Sequence, residues 1–96
     1  MTTSNLSLQV IPKVPNEENI YPVVDKVIEM IKSTGLPYIV GPMETTIEGE
    51  LPTLLTIVEK AQEICVANGA TRVLTIVKID YSPKGVTMDE KVGKYR

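Results

Sequence analysis

The chain has 96 residues, 43% hydrophobic and 23% charged, with a formal net charge of −2 and no histidine. These proportions suit one folded domain (1–96) with one core of ordinary size, and they argue against wholesale disorder. They exclude the basic footprint that nucleic acid or an anionic membrane surface requires, and every His-based triad, proton shuttle or metal ligand.

There is no Phe or Trp and there are only four Tyr, so the core must be built from Val, Ile and Leu. No apolar run approaches the length needed to cross a bilayer. The N-terminal Met1 to Asn5 lacks the charged and apolar regions of a signal peptide. Cys65 stands alone and cannot form an internal disulfide. These absences fit a cytoplasmic address with no membrane or nucleic-acid partner.

Leu6, Leu8 and Val10 alternate with Ser7, Gln9 and Ile11, which predicts a first strand ending before Pro12. Ile20, Val23, Val24, Val27, Ile28 and Ile31 recur at helical spacing. Pro22 fits the first turn of that helix, and Glu17 and Glu18 suit the positive end of its dipole. Gly35 suits the residue just past its end.

Tyr38-Ile39-Val40, held between Pro37 and Pro42, predicts a short edge strand. A turn around Met43 leads into an acidic strand in which Thr46, Glu48 and Glu50 alternate with Thr45, Ile47, Gly49 and Leu51. Leu54, Ile57, Val58, Ala61, Ile64 and Cys65 mark a second amphipathic helix, with Pro52 at its start and Asn68-Gly69 at its end. On that apolar face Cys65 is expected to be a small core residue. Val73, Thr75, Val77 and Ile79 alternate with Leu74, Ile76, Lys78 and Asp80 in a last strand. Thr87 and Glu90 have capping-box spacing, which opens a terminal helix too short to persist unless it docks.

Strand-helix-strand-strand-helix-strand, with right-handed crossovers and an internal hairpin, predicts an α+β, ferredoxin-like βαββαβ fold. Its four-stranded antiparallel sheet has the order 4-1-3-2, with two helices on one face. The opposite, open face then carries Ser7, Gln9, Ile11, Ile39, Thr46, Glu48, Glu50, Leu74, Ile76, Lys78 and Asp80. Carboxylates cannot be buried unpaired at acceptable cost, so this face should be a surface, an interface or a site. Its apolar members, Ile11, Ile39, Leu74 and Ile76, are expected to be covered by another subunit.

Several uses of the polar slot stay open. Glu48 and Glu50 have a spacing that suits paired acid/base carboxylates or a hard cation, although oxygen-ligated cations need more ligands than this. They also suit a solvated or interface-paired strand, or recognition of an amine edge by acceptors beside Ser and Gln. The fold's RNA-binding use needs central aromatics, and its metal-carrier use needs paired cysteines; the chain has neither.

Three stretches resemble the thiamine-binding protein family of small ferredoxin-like proteins. They are Ser7-Leu8-Gln9-Val10-Ile11-Pro12, Gly41-Pro42-Met43-Glu44-Thr45-Thr46-Ile47-Glu48-Gly49-Glu50 and Val77-Lys78-Ile79-Asp80. The Thr45, Glu48, Glu50 pattern is the most specific part. The resemblance implies a homo-oligomer, a dimer or tetramer, that binds thiamine or its hydroxymethylpyrimidine half without catalysis, cofactor or metal. It also implies Ser7, Gln9, Thr45, Thr46, Glu48 and Lys78 as ligand contacts, with Glu50 as a supporting or interface acid. The alternative is a homo-oligomeric scaffold whose acidic strand serves assembly alone.

Overall fold

A computed structural model describes residues 2–15 and 20–95. Four strands, β1 (Thr3–Lys13), β2 (Tyr38–Val40), β3 (Thr45–Glu50) and β4 (Arg72–Asp80), form one antiparallel sheet in the order β2-β3-β1-β4. This is the predicted 4-1-3-2 order read from the other edge. Helices α1 (Ile20–Ser33) and α2 (Leu51–Ala67) cover one face, and a short α3 (Met88–Val92) follows β4. Glu17 and Glu18, expected near the start of α1, lie outside the described residues.

The period-two pattern sets which face is dry. Leu6, Leu8 and Ile47 from the sheet meet Val23, Val27 and Ile31 of α1 and Leu54, Ile57, Ala61 and Cys65 of α2 in one buried cluster. Side chains from alternate strand positions interlock there with the i, i+4 rows of two helices. The helix ends follow from their sequences. Past α2, Gly69 takes φ +100°, its N–H bonds to the Val66 carbonyl and the Ala70 N–H to the Cys65 carbonyl. These two bonds satisfy carbonyls that the helix leaves open. Cys65 is fully buried, and that burial pushes its thiol pKa above the ordinary value.

β1 runs from Thr3 through Pro12 to Lys13, longer at both ends than the alternation of Leu6 to Val10 suggests. β3 pairs only as far as Leu8↔Thr45, whereas β4 continues to Lys13↔Arg72. The Lys13 carbonyl accepts from Thr71 N–H on the β4 side. Strand alternation therefore turns Pro12, which has no N–H to offer, toward the side where β3 has already ended. Proline is tolerated at that half-open position.

β2 and β3 are joined by Gly41–Glu44, closed by the Gly41 N–H donating to the Glu44 carbonyl at 2.8 Å. A Cβ on Gly41 would stand 2.9 Å from that same carbonyl oxygen, so the turn requires glycine for close approach. After β4, a turn ends at Gly85, which has φ +89° and whose N–H donates to the Ser82 carbonyl. The next residue, Val86, donates its N–H to the Thr3 carbonyl. The chain is thereby brought back beside β1, and α3 is delivered onto the open face.

Candidate functional site

The strand registers place the open-face side chains in rows across the sheet. Ile39, Thr46, Ser7 and Lys78 form one row, and Glu48, Asn5 and Asp80 form the next. α3 lies over the second row. Thr87 caps it, its Oγ1 accepting from the Glu90 N–H at 3.2 Å, as the capping-box spacing predicts.

Between α3 and the first row lies a cavity of about 450 Å³. It is lined by Asn5, Ser7, Ile39, Glu44, Thr46, Lys78, Asp80, Met88, Lys91 and Val92. That size is in the range of small-molecule sites, and the mixture of apolar wall and few converging polar groups is their usual chemistry. Ser7 and Thr46 supply hydroxyls that both donate and accept. Two lysines and two carboxylates line the cavity as well. Lys78 Nζ is 3.6 Å from Glu44, and Lys91 Nζ is 2.6 Å from Asp80. Lys78 is 72% exposed, so its pair is weak and its ammonium is available to a ligand.

Of the residues expected from sequence, Ser7, Thr46 and Lys78 come together in this cavity. Gln9 sits one step further along the same face, registered with Ile76. Glu48 and Glu50 share the open face, but neither lines the cavity. Thr45 is buried on the helix side and lines a second groove of about 330 Å³ beside α1, together with Gln9, Tyr21, Met43 and Glu44, the last of which lines both. Glu44, Asp80, Asn5 and Lys91 are the polar lining residues that the sequence expectation does not name. A signal for two of them was present: Glu44 shares the parity of Thr46 and Glu48, and Asn5 that of Ser7. Lys91 and Met88 become visible only once the terminal segment folds back.

The far end of the open face is bare. Ile11, Leu74 and Ile76 are exposed there, Leu74 at 54% and Ile76 at 46%. Ile39, expected in the same patch, lines the cavity instead. Among the described residues no helix is long and apolar enough to cross a membrane, and no three His, Cys, Asp or Glu side chains gather as metal ligands.

The sequence profile described as thiamine-binding protein matches residues 6–96. A UPF0045 protein of Clostridium perfringens is 62% identical over the full length of both chains. A solved structure of a DUF77 domain from Bacillus cereus superposes with a TM-score of 0.93 at 49% identity, covering 99% of this chain and 91% of that one. A protein of Thermotoga maritima, provisionally assigned to thiamine biosynthesis or salvage, superposes with a TM-score of 0.88. It is 36% identical and covers 98% of this chain and 99% of its own.

Proposed function

The chain belongs to the thiamine-binding protein family, and from that premise we propose that it is a non-catalytic, cytoplasmic binding protein for thiamine or its hydroxymethylpyrimidine half. The observation that carries this proposal is the open-face cavity, which offers acceptors, donors and an apolar wall within one small volume. An aminopyrimidine is flat, donates from its exocyclic amine and accepts at its ring nitrogens. Ile39, Met88 and Val92 give such a ring a flat apolar seat. Glu44 accepts from the amine, and Lys78, Ser7 or Thr46 donates to the ring. No aromatic side chain lines the cavity, so stacking contributes nothing and shape and hydrogen bonds carry the affinity.

Calorimetry with thiamine, hydroxymethylpyrimidine and the thiazole alcohol tests this assignment. The first two should bind and raise the melting temperature, since a ligand that binds only the folded state stabilises it. Glu44→Gln should weaken them about tenfold, because the bond from the amine loses its charge assistance. No heat and no melting shift at millimolar ligand would end the proposal.

A second reading is favoured by the bare end of the open face. Exposed Ile11, Leu74 and Ile76 fit coverage by another copy of the chain, in a dimer or tetramer, with Gln9 beside that contact. In a pure scaffold, assembly would proceed with no ligand bound. Light scattering at micromolar concentration separates the cases: Ile76→Asp should dissolve the assembly, and a wild-type monomer would remove both the oligomer and the scaffold.

A further inference from the structure

The carboxylate in the most distinctive sequence pattern, Glu48, is already engaged within the molecule. Its Oε1 accepts the Met88 backbone N–H at 2.6 Å and the Asn5 side-chain amide at 3.4 Å. Asn5 is 3% exposed, and its amide also donates to the Val86 carbonyl at 3.3 Å. Its Oδ1 accepts from Lys91 Nζ at 2.8 Å, and Lys91 pairs with Asp80. Asn5 thus uses both its donor and its acceptor capacity, which neither Asp nor Ser could reproduce.

α3 needs such anchors. It has five residues, too few to persist alone, and the N–H of its first residue has no partner within the helix. Thr87 caps the Glu90 N–H, and the Met88 N–H is taken by Glu48. Remove that acceptor and the part-buried Met88 N–H loses this partner, while Asn5 loses one of its bonds.

We infer that Asn5 and Glu48 are positioning residues: they pin α3 to the open sheet, so that Met88, Lys91 and Val92 form one wall of the cavity. The use of that wall for a ligand rests on the binding function proposed above, and the pinning itself does not. Glu48 then acts on a ligand through the helix it holds, and Glu44 remains the acceptor that faces the cavity.

Amide hydrogen exchange of the whole chain without ligand is the direct test. In Glu48→Ala, Met88–Val92 should exchange roughly tenfold faster, while β1 and β3 keep their protection. Glu48→Gln keeps an oxygen acceptor and should fall between, which covers the case in which the alanine variant does not fold. Calorimetry on the same variants then uses hydroxymethylpyrimidine and its analogue without the exocyclic amine. A positioning residue lowers both affinities by the same factor. Unchanged exchange in Met88–Val92, or a selective loss of preference for the amine, would overturn the inference. If the wild type binds neither probe, the proposed ligand falls and the exchange measurement alone decides whether Glu48 holds α3.

Discussion

The two faces of the sheet are built from the same four strands by opposite means. The helix-covered face is held by apolar contact: Leu6, Leu8 and Ile47 are nearly inaccessible, in a buried cluster of Val, Ile, Leu, Ala and Cys with Met30 and Tyr38 packed against it. The face beneath α3 is held by directed bonds, with Glu48, Asn5, Lys91 and Asp80 linked in series. Dispersion and burial tolerate small shifts of geometry, whereas a hydrogen-bonded chain fails when one member is lost. The difference assigns stability to one face and shape to the other. Folding should report on the dry side, and binding on the wet side.

Substitutions on each face break or sharpen that division. Ile47→Ala leaves a hole in the packed cluster and should cost about 3 kcal/mol in chemical denaturation, the largest effect expected here. Asn5→Ala takes one bond from each of Glu48 and Lys91, which keep Met88 and Asp80, and should lower the local stability of α3 by roughly 2 kcal/mol. Its distinguishing mark is loss of protection confined to α3 before global unfolding; uniform loss would merge the two faces into one cooperative unit.

Ser4 is a smaller test. It lies on the dry side, fully buried, and its Oγ has no hydrogen-bond partner among the described residues. Ser4→Ala should therefore raise stability by about 1 kcal/mol, by deleting a desolvated hydroxyl. A decrease in the melting temperature would mean that the hydroxyl contributes a bond.

Cys65 gives a pH-dependent test of the same dryness. Burial raises its pKa in the fold, so the unfolded chain loses the thiol proton first as pH rises. Its contribution to stability is intact below the unfolded thiol pKa and declines as pH climbs toward the folded one. A thiol reagent at neutral pH should leave the native protein unmodified and label it only on denaturation. Smallest of all, Leu74→Ser on the bare end of the wet face should change subunit stability by no more than about 0.5 kcal/mol.

The sheet and its dry face were legible because strand alternation and helix periodicity agree wherever one side must be apolar. Leu6, Leu8, Ile47 and Val77 could not be exchanged with Ser7, Thr46 and Lys78 without burying polar groups. The strand ends were less legible. Pro12 suggests a stop, yet the ladder passes it because β3 ends first, and partner length is not written locally. The open-face slot was legible as a polar row, but which of its acceptors lines the cavity was not. Glu44 shares the parity of Thr46 and Glu48, but it sits in a turn by composition, and the tightness of that turn decides that it reaches the cavity. The spacing of Thr87 and Glu90 announces α3 without saying where it lands. Its landing depends on Gly85 and on a backbone bond from Val86 to Thr3, at opposite ends of the sequence.

The narrow hairpin at Gly41 has a practical corollary for anyone wishing to retune the cavity. A methyl group there would collide with the main-chain oxygen of Glu44, the residue just before Val40's strand partner Thr45, and would push Glu44 off its present perch. The sign of charge presented to the cavity can be changed at position 44, but its location is governed by a residue that does not line the cavity. Engineering should therefore transplant 41–44 as one cassette and leave its first member untouched.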